Sequence, residues 1–147
     1  LEIFPDARFM HIYRNPYEIY SSTERLYEKI LPLFGFHKVS NEFIEQYIID
    51  SYRDFHQKWF AEKDLIPEER LVEFSFEDFT DAPVDHLTQA YKTLKINLCE
   101  EALTAFKSMA SNHSAYQQNK YSDIPEETKQ KLRKHWQFCF AELGYPI

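Results

Sequence analysis

A chain of 147 residues is long enough for one domain that buries roughly two thirds of its unfolded surface, and too short for a second independent core. With 44% hydrophobic and 17% aromatic residues it carries too much core material to be disordered. Its formal net charge of -7 excludes the broad cationic field that nucleic acid or an anionic membrane surface would require, so any anion site must be local.

The opening stretch, LEIFPDARFMHIYR, enters a strand pattern within eight residues, as expected of a fragment of a longer protein. Arg8 to Tyr13 reads as a short buried strand introduced by the turn signal Pro5-Asp6. Asn15-Pro16 ends it and starts a helix, with Asn15 suited to the N-cap, Pro16 to the first helical position and Glu18 to a capping box. That helix is predicted to run to about Leu33, with Ile19, Tyr20, Thr23, Leu26, Tyr27 and Ile30 on its core face. Asn41 to about Lys63 predicts a second helix, in which Ile44, Ile48, Tyr52, Phe55 and Trp59 follow the helical period.

Arg70 to Phe76 alternates apolar and polar residues and predicts a second strand, followed by an acidic turn at Glu77 and Asp78. Asp81 with Pro83 opens a further helix, whose core positions would be Val84, Leu87, Ala90, Tyr91 and Leu94. Leu98 to Ala110 predicts a shorter helix with Leu103 and Phe106 inward, and Ser111 to Ser122 a polar loop. The closing helix takes its cap signal from Asp123, Pro125 and Glu126, carries Leu132, Trp136, Cys139, Phe140 and Leu143 inward, and ends at Gly144. Two strands, each followed by a helix and with no hairpin signal between them, predict parallel pairing in an α/β sheet.

No run of eighteen apolar residues and no basic leader occurs, so neither a transmembrane helix nor a signal peptide is predicted. Cys99 and Cys139 both lie in amphipathic helical patterns and are expected to be reduced core residues, which suits a cytoplasmic protein. Gly35 and Gly144 are the only glycines, so no glycine-rich phosphate loop can be built from these residues. The six histidines show no metal-ligand spacing, and no metal site is predicted; His11, inside the first strand, reads as a hydrogen-bonded core residue.

An arginine at the carboxyl end of a parallel strand stands where open α/β sheets bind ligands, and its fork of donors suits phosphate. Arg14 occupies that place. At roughly 100° per residue, Ser22 falls at the edge of the first helix's core face and Ser21 nearly opposite it, so Ser22 is the better placed to border a cleft. On the residues alone a simpler reading competes, in which Arg14 pairs with Glu18 and Ser22 is an incidental helix serine.

HIYRNPYEIYSST resembles the 3'-phosphate-binding segment of the sulfotransferases that use 3'-phosphoadenosine 5'-phosphosulfate (PAPS), with an arginine at a strand end and a serine eight residues later. RLVEFSFEDFTDAPVDHLTQAYKTLKI is similar to the family's later strand, acidic turn and helix, and NKYSDIPEETKQKLRKHWQFCFAELGYP to the closing helix of its bacterial branch. The resemblance implies a P-loop NTPase-like α/β sulfotransferase fold, of which residues 1–147 would be the mostly helical carboxyl-terminal part of one domain, with about two parallel strands. It implies PAPS as sulfuryl donor and Arg14 and Ser22 as the 3'-phosphate anchors. Arg25 would reinforce them. Phe76, where many members have tyrosine, would stack near the adenine without the hydroxyl contact, and Lys120 would be the cation of a cofactor-side loop.

Two parts of the family pattern find no match: the first phosphate-binding loop with its lysine, and the segment that usually supplies the catalytic base. The expected partners are therefore the amino-terminal half of the same domain and a small-molecule or carbohydrate acceptor offering a hydroxyl or an amine. Because those parts are unmatched, a non-catalytic helical interaction module derived from the same fold stands as the alternative. In this fold class the Phe43–Phe60 stretch would serve as core and acceptor-side wall together, by analogy alone.

Overall fold

The computed structural model describes residues 2–35, 39–113 and 123–147. In chain order its elements are β1 (Phe9–Tyr13), α1 (Pro16–Phe34), α2 (Asn41–Glu62), two short 3-10 turns (Lys63–Leu65 and Glu68–Arg70), β2 (Leu71–Ser75), α3 (Phe76–Asp81), α4 (Pro83–Thr93), α5 (Glu100–His113) and α6 (Glu126–Leu143). The architecture is α/β, mostly helical, with two parallel strands in one sheet. Residues 1–14 and 62–119 form one compact unit; 15–61 and 120–147 form the other.

In the first unit β1 and β2 pair in parallel, in a register running from Phe9 opposite Leu71 to Tyr13 opposite Ser75. Paired residues of a parallel ladder point to the same face, which brings His11 beside Glu73 and Ile12 beside Phe74. His11 Nδ1 lies 2.9 Å from Glu73 Oε1, and Lys63 Nζ donates to Glu73 Oε2 at 3.1 Å. The expectation of a hydrogen-bonded strand histidine is thus met. The expectation of a fully buried strand is not. β1 begins at Phe9 rather than Arg8, and its cover alternates, with Met10 38% and Ile12 44% exposed. An apolar run shows that a strand can be buried, whereas cover comes only from elements that pack on it. Here α3 and α4 cover β2: Phe74 is buried, its ring 5.4 Å from those of Phe79 and of His86.

Where an acidic turn was expected after β2, the chain forms α3. Ser75 is its N-cap: Ser75 Oγ accepts from the Asp78 backbone N–H at 3.0 Å and donates to Asp78 Oδ2 at 2.7 Å, a reciprocal variant of the capping box. The signal was present in the Ser-x-x-Asp spacing of SFED. Ala82, with no side-chain cap bond, precedes α4 instead of Asp81; Ala90 and Leu94 are buried as predicted. Lys95, at φ 52, turns the chain out of α4 in the left-handed conformation that usually ends a helix. α5 continues to His113, so Ser111–His113 is helical rather than loop; the rest of the predicted loop, 114–122, lies outside the described residues. Tyr91 and Phe106 join α4 to α5, ring centroids 5.9 Å apart.

In the second unit the predicted cap is seen directly: the Tyr17 backbone N–H donates to Asn15 Oδ1 at 3.0 Å, with Pro16 at the first position. Tyr20, Ile44, Ile48, Ile49, Ile124, Leu132, Trp136, Cys139 and Phe140 make the core, so α1, α2 and α6 meet through their apolar stripes. In α2 the predicted Ile44 and Ile48 are buried and Tyr52 packs on the core, but Phe55 does not follow them. Phe55 is 57% exposed, while His56 is buried and keeps its Nδ1 at 3.0 Å from the Tyr52 carbonyl. Leu26 likewise points outward at 51%, and Leu31 packs on the core in its stead. Both differences follow from a third helix: the α1–α2 faces are chosen by where Trp136 sits, which no single helical wheel contains. α6 begins behind Pro125, which supplies no side-chain cap, rather than behind Asp123, and Gly144 ends it at φ 75.

Cys99 was expected in the core and is exposed instead; Cys139 is wholly buried, and both are free thiols. Burial pushes the Cys139 thiol from 9.0 up to about 12, because an apolar site disfavours the thiolate. A folded-state value above the unfolded one means that this thiol's contribution is complete below pH 9.0 and is lost as pH rises towards about 12. At pH 8 a maleimide is therefore expected to modify Cys99 alone in the native protein and both cysteines in denaturant, as read by intact mass. Rapid double labelling of the native chain would contradict the burial of Cys139.

Candidate functional site

The register sets the site. Tyr13 opposite Ser75 is the last pair of the ladder, so the next residues, Arg14 and Phe76, leave the carboxyl ends of the two strands together. That edge is where parallel α/β sheets place their ligands, because loops and helix starts converge there. The guanidinium carbon of Arg14 lies over the Phe76 ring, 4.4 Å from its centroid. Both residues are half-buried, and Arg14 Nε is shielded from solvent, so the cation–π attraction acts in a partly desolvated setting.

Phe76 is held there by its own helix. As the first residue of α3 it follows the Ser75 cap, whose two hydrogen bonds with Asp78 fix the direction in which the chain leaves β2. Tyr13, beside this pair in sequence, has its phenol pushed above the ordinary range by burial first and then by the negative charges of Asp78, Glu73 and Glu77. It is therefore a neutral hydroxyl at physiological pH. Three carboxylates around one strand end would repel an anion; the Arg14 guanidinium and Lys63, which is paired with Glu73 at 3.1 Å, are cations that the fold sets against them.

The structure thus brings together two of the five residues named from the sequence. Ser22 and Arg25 belong to the other unit, on α1, where Ser22 is half-buried and Arg25 exposed. Lys120 lies outside the described residues. The contact of Arg14 with Phe76 is not legible in the sequence, since it depends on a register between residues 62 apart.

The remaining polar features of the first unit lie elsewhere. A cleft of about 410 Å³ is lined by Lys63, Asp64, Ile66, Glu68, Leu71 and Glu73, and includes neither Arg14 nor Phe76. Among the described residues no three of His, Cys, Asp and Glu gather in a way that could hold a metal ion. No helix among them is long and apolar enough to cross a membrane. In the second unit the expected wall of Phe43 to Phe60 divides in two. Tyr52 and Phe60 pack on the core, whereas Phe43 and Tyr47 stack on each other at 6.3 Å and remain 62% and 50% exposed.

Comparison with known proteins gives a consistent set of matches. The family model described as "Sulfotransferase family" matches residues 1–101. Two curated relatives, the omega-hydroxy-beta-dihydromenaquinone-9 sulfotransferases of Mycobacterium bovis and Mycobacterium tuberculosis, are each 27% identical over 145 residues. The match covers 99% of this chain and 37% of each relative, so the chain spans little more than a third of their length. Among solved structures, the sulfotransferase domain from the curacin biosynthetic pathway aligns over 97% of this chain and 55% of its own, at 16% identity and a TM-score of 0.49.

Proposed function

We propose that this chain, which belongs to the sulfotransferase family, carries the part of a PAPS-dependent enzyme that grips the 3'-phosphate of the nucleotide. The observation that carries the reading is Arg14, a cation set at the carboxyl end of a parallel strand and held over Phe76. In this reading the guanidinium of Arg14 and the hydroxyl of Ser22 bind the 3'-phosphate, with Arg25 as a weaker electrostatic aid and Lys120 towards the same end of the cofactor. Charge-assisted contacts so far from the reacting sulfur act by holding the donor in line with the acceptor, a positional contribution.

Transfer itself moves the sulfuryl group from the phosphate oxygen of PAPS to an acceptor hydroxyl or amine, and the acceptor's proton goes to a base. Charge develops on the bridging oxygen, and a preorganised cation must meet it there. In this reading both come from the amino-terminal portion of the domain. The relatives act, by their names, on a hydroxylated dihydromenaquinone. The exposed Phe43–Tyr47 pair favours an acceptor with an apolar body as well as a reacting hydroxyl. A cytoplasmic setting, where PAPS and reduced thiols coexist, accords with the two free cysteines.

The test is a labelled-sulfate assay on two samples. These 147 residues alone are expected to transfer no label from PAPS, and the same residues joined to the upstream segment, covalently or as a separate chain, to transfer it. Turnover by the short chain would show that the missing groups are present in it. Absence of turnover from both, with PAPS bound by neither, would favour the non-catalytic interaction module.

A further inference from the structure

We infer that Phe76 is a positioning residue for Arg14: its ring holds the guanidinium in place for the 3'-phosphate instead of stacking on the adenine. The inference rests on the 3'-phosphate reading above and assigns the ring a different role within it. Two observations on the first unit carry it. The guanidinium carbon stands 4.4 Å from the ring centroid, a distance at which the ring's negative face attracts the cation and little of that face remains for a nucleobase. The ring is set by the strand register and by the Ser75–Asp78 cap, not by any ligand, so the pair is formed in advance of binding.

The physical gain is preorganisation. An arginine side chain has several rotatable bonds, and ordering it costs free energy at the moment of binding unless it is already ordered. The neighbouring carboxylates sharpen the need. Glu77 and Asp78 begin the same helix as Phe76, Glu73 sits three residues before it on β2, and Lys63 is paired with Glu73, so carboxylates border the place where the ring holds the guanidinium.

The two roles for Phe76 separate when binding is measured with adenosine 3',5'-bisphosphate and with adenosine 5'-monophosphate, which shares the base but lacks the 3'-phosphate. In the full-length protein, calorimetry on Phe76→Leu is expected to show about three- to tenfold weaker binding of the bisphosphate and less than about twofold change for the monophosphate. Phe76→Tyr, which keeps the ring face, should bind the bisphosphate as the parent does. In the Arg14→Ala background Phe76→Leu should add nothing, and with PAPS as donor Phe76→Leu should raise KM and leave kcat within about twofold. Equal weakening of both nucleotides, or a Phe76→Leu loss that persists without Arg14, would overturn the inference in favour of base stacking. If Phe76→Leu does not fold, a Phe76→Tyr protein with weakened bisphosphate binding overturns it as well. A parent protein that binds the bisphosphate no better than the monophosphate would instead remove the 3'-phosphate reading, and the inference with it.

Discussion

Arg14→Ala in the full-length protein is expected to weaken binding of adenosine 3',5'-bisphosphate about ten- to hundredfold, while Arg25→Ala changes it by less than about threefold. The first figure is the roughly 1.5–3 kcal/mol of a hydrogen-bonded contact to a charged group. The second reflects an exposed charge, whose interactions are screened and contribute at most about 1 kcal/mol. Position in the fold separates the two arginines: Arg14 leaves the last pair of the strand ladder half-buried over Phe76, whereas Arg25 is exposed on α1. Titration calorimetry at two salt concentrations checks this, because the Arg25 effect should shrink at high salt and the Arg14 effect should largely persist. Equal losses from both substitutions, or none from Arg14→Ala, would remove Arg14 from the phosphate site.

Trp136→Ala is expected to cost the helical unit about 3–5 kcal/mol, the range for truncating a large buried aromatic residue. Its indole is wholly buried, with ring centroids 4.2 Å from Tyr52 and 6.3 Å from Tyr20, and its Nε1–H donates to the Ile49 carbonyl at 2.9 Å. From α6, one side chain therefore reaches both α1 and α2. Against a typical total stability of about 5–15 kcal/mol, the loss would leave the unit marginal or unfolded at 37 °C. Trp136→Phe keeps much of the volume and gives up the hydrogen bond, so a smaller cost of about 1–2 kcal/mol is expected. Urea unfolding followed by circular dichroism measures both. A Trp136→Ala protein within about 1 kcal/mol of the parent would show that this contact is not the keystone of the unit.

Local chemistry was the legible part of this fold. Asn15-Pro16 announced α1 because a side-chain cap and a fixed φ act within two residues, and Gly144 announced the end of α6 because a left-handed turn favours glycine. Parallel pairing could be read from the spacing of two strand patterns around a helical stretch. Ser75 was readable and overlooked, because the same residue ends a strand pattern and begins a cap. The inward turn of His56 and the outward turn of Phe55 were not readable, since the face of a helix is chosen by partners distant in sequence. At the candidate site the same division holds. Arg14 could be singled out from its place after a strand; the ring beneath it could not, since that needs the register of the sheet.

The two compact units are each assembled from two separated stretches of chain, and this bears on the order in which the protein can form. β1 must wait for β2, whose residues are made 62 positions later, and Ile49 must wait 87 positions for the indole that binds its carbonyl. Neither unit has a local nucleus that contains its decisive contact, so loop closure over long distances comes before the reward. That topology predicts slow folding for a chain of this size, and it leaves the newly synthesised β1, with Met10 and Ile12 on one face, exposed until its partner arrives.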